Sequence, residues 1–324
     1  MAETLRSLLT AAIEAYKHGD WVEAARVCEE GIRAAESTGD ELQVCRFRLI
    51  LSQCNWAQGR IKEAFVLPTP PEAHSLTGLE IAAKLRNQKG FLLAQTGKFL
   101  EAKTELEEAL SVAGEAGSDV VCAEIQINRG TLFFYLADYD AMLPCGQAVL
   151  DIAERNNLRG YEGSACAVIG KSLMYRQAWN EAIAWYERAL AAFDADGSPF
   201  YANRMRGELG CCYFGLGELD KAMELFSEAL RSSEEAGALA SVHTDHANIG
   251  AVHLRRGRYE IALSHFQKAL EIASGLGDQI STGKWLHNLS LTHKCMGDTM
   301  QAMTCALEAE RVNQEVAHAR AAAK

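Results

Sequence analysis

Proline is scarce in this chain, with five in 324 residues, and no stretch keeps the period-two alternation of a half-buried strand. Those two absences exclude strand-based architectures and leave helix as the dominant element. Long apolar runs are missing too. Nothing approaches 18 consecutive apolar residues, and Met1 to Trp21 is charged throughout, without the apolar centre of a secretory leader. Positive charge is in deficit: 32 Lys and Arg stand against 43 Asp and Glu, a net charge of -11. Bulk attraction to nucleic acid or to an anionic membrane is therefore excluded. The ten cysteines lack CxxC pairs and framework spacing. They read as reduced, mostly buried thiols, and the chain is expected to be cytoplasmic.

What the chain does have is repetition. A landmark residue recurs at Gly19, Gly59, Gly97, Ala137, Gln177, Gly217, Gly257 and Gly297, 40 residues apart in every step except the 38 between Gly59 and Gly97. Five positions later stand Ala24, Ala64, Ala102, Met142, Ala182, Ala222, Ala262 and Ala302. Seven positions before it stand Ala12, Ser52, Gly90, Gly130, Gly170, Gly210, Gly250 and Ser290, all small enough for two helices to approach closely. Each period holds two amphipathic segments; Asp220 to Ser233, for example, sets Ala222, Leu225, Phe226, Ala229 and Leu230 on one stripe. Breakers such as Thr38-Gly39-Asp40, Gly117-Ser118-Asp119, Glu235-Ala236-Gly237 and Gly277-Asp278 separate the periods.

The small residue, the turn glycine, the alanine, the aromatic nine on (Tyr186, Phe226, Phe266) and the alanine twelve on (Ala109, Ala189, Ala229, Ala269, Ala309) resemble tetratricopeptide repeats. The 40-residue period, with Asn248-Ile249-Gly250 and Asn288-Leu289-Ser290, is similar to the longer-repeat branch typified by kinesin light chain and the adaptor LGN. The resemblance implies an all-α, right-handed superhelix forming a single array. Its eight helix-turn-helix repeats fall near residues 5–44, 45–82, 83–122, 123–162, 163–202, 203–242, 243–282 and 283–320.

Two repeats depart from the pattern. Pro68-Thr69-Pro70-Pro71 is predicted to stunt the second helix of repeat two and to make 68–77 an irregular loop. Repeat four has Met142, Pro144 and, at the aromatic position, Gly146. Local drift accommodated by neighbours accounts for it better than a designed kink.

In the resembled family the first helices line a concave groove. Positions thirteen, nine, six and two before the landmark share that face. They carry Arg6, Lys17, Arg46, Lys84, Lys171, Arg204, Arg255 and Lys284, opposed only by Glu124 and Glu208. Overall composition would place roughly three basic and four acidic residues there, so the polarity of the face is inverted. A basic groove in an acidic protein attracts an acidic segment. The nine-before position adds Gln88, Asn128, Asn248 and Asn288, whose carboxamides suit the backbone of an extended peptide or a structural bond to a neighbouring helix.

In related peptide-binding repeats, Asn there and a cation in the next repeat clasp a carboxylate. Asn248, Lys284 and Asn288 match those places, while Gly207 and Cys211 leave the clamp incomplete. Phe91, Phe134, Tyr135, Tyr175 and Phe214 fall on or beside the stripe, and Tyr135 and Tyr175 share the register of Arg255. The candidate peptide-binding set is Lys84, Asn128, Tyr135, Lys171, Tyr175, Arg204, Asn248, Arg255, Lys284 and Asn288.

No cofactor, metal or catalytic constellation is indicated. His243, His246, His253, His265, His287 and His293 crowd the last two repeats without the i, i+4 pairing of a helical zinc site. Gly170-Lys171-Ser172 mimics the end of a phosphate loop but lacks its first glycine. The expected function is a non-enzymatic adaptor that holds an acidic or extended peptide, with no nucleic-acid or membrane partner. The alternative is a regulatory or assembly module. The chain ends at Ala321-Ala322-Ala323-Lys324 without an obvious capping helix, so the helix near Met300 to Arg320 is expected to expose an apolar edge that pairs two copies.

Overall fold

A computed structural model describes residues 2–69 and 75–323. Its helices run in pairs along the chain: α1 (Ala2–His18) and α2 (Trp21–Thr38), α3 (Glu41–Ala57) and α4 (Ile61–Ala64), α5 (Leu76–Gln95) and α6 (Phe99–Glu115), α7 (Asp119–Tyr135) and α8 (Tyr139–Asn156). The second half repeats the scheme with α9 (Arg159–Tyr175) and α10 (Trp179–Asp196), α11 (Pro199–Leu216) and α12 (Leu219–Glu235), α13 (Leu239–Arg255) and α14 (Tyr259–Gly275), α15 (Gln279–Met296) and α16 (Thr299–Ala322). The fold is an all-α solenoid, as the repeat pattern requires.

Each of the eight landmarks turns one helix into the next with positive φ, from 58° at Ala137 to 85° at Gly217. The turns between pairs do the same at Gly39, Gly117, Asn157, Gly197, Gly237 and Gly277. From Gly97 to Gly297 a left-handed residue therefore falls every 20 positions, which makes the underlying period half of the one visible in the sequence. Aspartates at 20, 40, 138, 278 and 298 then accept from the third backbone N–H beyond them and start the next helix.

Small residues in the first helices receive bulky ones from the second. A methyl at Gly210 would fall 2.6 Å from the Phe226 ring, and one at Gly250 or Gly170 would fall about 3 Å from Phe266 or Tyr186. All three rings are fully buried, and the alanine five past the landmark is buried at 24, 64, 102, 182, 222 and 262. Emptying one such ring position by substitution to alanine costs roughly 3–5 kcal/mol.

Repeat two is stunted as expected. α4 has four residues, the chain is non-helical at Pro68 and Thr69, and α5 resumes at Leu76. Of the expected 68–77 loop, 76 and 77 are helical, because Ser75 caps α5 by accepting from Gly78 N–H; 70–74, with Pro70 and Pro71, lie outside the described residues. In repeat four, α8 continues through Pro144. Ile169 of the following helix occupies the space of the missing aromatic, since a methyl at Gly146 would lie 2.6 Å from its Cγ1. Neighbours absorb the departure.

The solenoid closes on itself. α1 packs on α11, α3 on α13 and α6 on α16, so each of the first three pairs meets the pair five places later. Along this seam Tyr16 and Tyr201 share a hydroxyl hydrogen bond of 3.0 Å, Trp21 meets Phe200 edge-on at 4.8 Å and Lys17 lies 3.8 Å from Asp196. Lys103 donates to the Ala323 carbonyl at 3.3 Å and Arg320 to the Tyr135 carbonyl at 2.6 Å. Landmark turns sit directly in it: a methyl at Gly59 would lie 2.9 Å from Leu276, and one at Gly19 3.5 Å from Phe200. The concave groove is the lumen of a closed coil.

Candidate functional site

The inner wall is built by the first helix of each pair, because the second helices stack outside them. Neighbouring repeats neutralise part of it. Lys84 bonds Glu124 at 3.2 Å, and Glu124 also accepts from Tyr161 at 2.8 Å. Lys171 bonds Glu208 at 2.8 Å. The two acidic residues on the basic stripe are thus the partners of two of its lysines. Lys17 faces the seam, not the lumen.

Arg204, Arg255 and Lys284 have no carboxylate within ion-pair distance among the described residues. Arg255 lies over Phe214 at 5.1 Å. Lys284 has its ammonium 5.5 Å from the Phe134 ring centre and 5.9 Å from that of Tyr175. Lys171 approaches the same Phe134 ring at 4.9 Å. Lys284 is exposed to water yet enclosed by the coil, so desolvation holds its pKa below the ordinary lysine value, with Lys171 and Arg320 adding to the shift and Asp278 opposing it.

Of the carboxamides, Asn128 donates to Asn87 at 3.0 Å and buried Gln88 donates to Ser52 at 3.0 Å. Both are spent on helix–helix contacts, so Asn128 is the candidate that the structure assigns to packing. Asn248 and Asn288 are half-buried, and their side chains carry no hydrogen bond among the described residues. Tyr135 donates to Gln95 and stacks on Phe99 at 6.3 Å; burial pushes its phenol up. Tyr175 meets Phe134 edge-on at 5.0 Å and stacks on Tyr139 at 4.9 Å, and it retains 36% of its surface exposed.

Tyr135, Lys171, Tyr175 and Lys284 therefore converge around Phe134, while Lys84 and Asn128 are held apart from them by their own partners. Arg204, two repeats further on, acts on the Tyr135 phenol against the effect of burial.

Sequence reasoning passed over Asp245. It occupies the twelve-before position, where other repeats place Phe47, Leu85, Ile125, Met205 and Trp285, and that break in an apolar register was the available signal. It is 7% exposed, with one carboxyl oxygen unbonded, and desolvation raises its pKa to about 7. On the same helix His246 lies 3.1 Å, nitrogen to nitrogen, from His265, which stacks on His253. Among the described residues no three such side chains are arranged to hold a metal. Ser172, of the phosphate-loop mimic, donates to the Tyr139 carbonyl at 2.7 Å from the last turn of α9.

Family comparison gives matches to the tetratricopeptide repeat over residues 83–115, 163–235 and 240–315. The Tonsoku-like protein of Danio rerio is 26% identical over 121 residues, which are 35% of this chain and 8% of that protein, so the chain spans a small fraction of that relative. Among solved structures, a Rap protein complexed with Competence and Sporulation Factor superposes with a TM-score of 0.67 at 12% identity, covering 98% of this chain and 99% of the other. NprR in complex with its cognate peptide NprX gives 0.61 at 15% identity, covering 98% and 83%. These likenesses concern the fold alone, and they do not single out the kinesin light chain and LGN branch. The turns, the small-for-aromatic packing and the matched segments agree: the chain belongs to the tetratricopeptide repeat family.

Proposed function

We propose that this chain is a non-enzymatic adaptor that captures an acidic, extended peptide segment in the lumen of its coil. The observation that carries the reading is that Arg204, Arg255 and Lys284 on the inner wall have no carboxylate within ion-pair distance among the described residues, in a protein of net charge -11. Asn248 and Asn288 support it with unspent carboxamides that suit a peptide backbone. The architecture shared with Rap bound to Competence and Sporulation Factor and with NprR bound to NprX supports a peptide-sized occupant. Ten unpaired cysteines favour a reducing compartment such as the cytoplasm, and no described helix is long and apolar enough to cross a membrane.

The test begins with a partner segment mapped after affinity capture, then titrated at two salt concentrations. Charge reversal at Arg204, Arg255 or Lys284 is expected to weaken binding by about tenfold each and to flatten its salt dependence. The outer-face control Glu228→Lys is expected to leave affinity unchanged. Equal affinity across all these variants removes the lumen as the site.

A second reading, self-association, rests on α16. Met300, Met303 and Leu307 are 75%, 63% and 57% exposed along one face. The equivalent of Met300 is Asp140, Asn180, Asp220 or Glu260 in the four preceding repeats. Light scattering at micromolar concentration tests it: a dimer abolished by Met303→Lys supports the reading, and a monomer removes it.

A further inference from the structure

Resting on the lumen as the ligand site, we propose that Phe134, Tyr175, Lys171 and Lys284 form a two-part subsite for an acidic side chain and an aromatic or large aliphatic side chain two residues away. Helices α7, α9 and α15 bring these groups together from three different repeats. The cationic part is Lys284. The faces of Phe134 and Tyr175 lie 5.5 and 5.9 Å from its ammonium and Asp278 acts on it from beyond ion-pair distance; a ring quadrupole stabilises an ammonium less than a contacting carboxylate does.

Lys171 shares the Phe134 ring at 4.9 Å but already holds Glu208. Arg320 is engaged with the Tyr135 carbonyl and Asp278 with the N-terminus of α15. The wall thus presents one enclosed ammonium whose anion is missing. Desolvation by the surrounding wall lowers its pKa from the ordinary lysine value, and an arriving carboxylate would oppose that shift.

The apolar part is the shelf of Phe134 and Tyr175, meeting at 5.0 Å with Tyr139 stacked behind. Tyr175 is among the large side chains left exposed, at 36%, although it lies inside the coil. A side chain laid on this shelf sits within about 6–7 Å of a carboxylate on Lys284, which is the separation of residues i and i+2 on one side of an extended chain, at about 3.3 Å rise per residue. The ligand signature is therefore an acid, any residue, then an aromatic or branched apolar residue, or the reverse order.

The probe is the peptide acetyl-Ala-Asp-Gly-Phe-Ala-amide, titrated calorimetrically into the full chain beside versions with Asn for Asp and with Ala for Phe. The Asp-Gly-Phe probe is expected to bind in the micromolar to millimolar range and each control at least tenfold more weakly. Lys284→Gln is expected to abolish the preference for Asp over Asn, and Phe134→Leu to reduce the preference for Phe over Ala. Circular dichroism matching the parent confirms that both variants fold. Absence of binding, or Asp and Asn probes of equal affinity, overturns the subsite. Loss of probe binding on charge reversal of Arg204 and Arg255, with no effect of Lys284→Gln or Phe134→Leu, overturns the subsite and leaves the lumen reading standing. Binding indifferent to all four positions overturns both.

Discussion

Single residues decide how well this array turns. Three left-handed positions, Ala137, Asn157 and Gln177, are not glycine, and an L residue other than Asn pays a steric cost there. Gln177→Gly and Ala137→Gly are expected to raise stability by about 0.5–1 kcal/mol each, seen as a higher thermal midpoint. Gly59→Ala is expected to do the opposite by about 2 kcal/mol or more, because φ is 75° and the methyl would press on Leu276 at 2.9 Å. The landmark turns were legible because their residues repeat at fixed intervals. Asn157 was not: Ala137 and Gln177 were found by the register of the landmarks, whereas the breakers between periods were recognised by their glycines and Asn157 has none beside it. The pairing of Lys84 and Lys171 was half-legible: Glu124 and Glu208 stood on the same stripe, but charge counting does not show that a pair closes between adjacent repeats.

At the scale of the element, α13 carries opposing titrations on its two sides. Asp245 is buried toward α11 and α12, within reach of Arg204, Glu208, Ser233 and Glu234. Its folded pKa of about 7 lies above the 3.8 of the free side chain, so the folded state binds the extra proton and stability falls as pH rises from about 4 to 7. His246 has a folded pKa of about 4, below 6.5, because burial and the nearby charges of Lys268 and His265 disfavour its cation; it contributes a loss as pH falls through the same interval. The two slopes offset one another in the parent. Asp245→Asn is expected to unmask the histidine slope, gaining stability relative to the parent by up to roughly 4 kcal/mol between pH 4 and pH 7. Hydrogen exchange of the α13 amides at the two pH values measures it. In α8, Pro144 denies one backbone hydrogen bond to the helix, and Pro144→Ala is expected to stabilise repeat four by about 1–3 kcal/mol.

At the scale of the whole molecule the seam governs. Sequence periodicity identifies which helix follows which, and therefore the fold and the face that looks inward, but it is silent on how many repeats complete one turn of the coil. Contacts such as Tyr16 with Tyr201, 185 residues apart, were illegible for that reason, and so was the closure that converts a groove into a lumen. Removing seam contacts outside the repeat cores, as in Phe200→Ala with Arg320→Ala, is expected to enlarge the radius of gyration in small-angle X-ray scattering while circular dichroism stays constant. An unchanged radius would mean that the stacking of neighbouring pairs alone sets the pitch.

The seam also constrains how such a chain can evolve. An open array can gain a unit by duplication almost anywhere, because each unit answers only to its neighbours. Here a duplication between the third and sixth pairs would shift the phase of everything downstream. Gly59, which now accommodates Leu239 and Leu276, would face residues of a different unit, and the glycines at 19 and 97 would lose their present counterparts likewise. Such a coil accepts point changes within units more readily than it accepts new units, so its length is inherited as a single character.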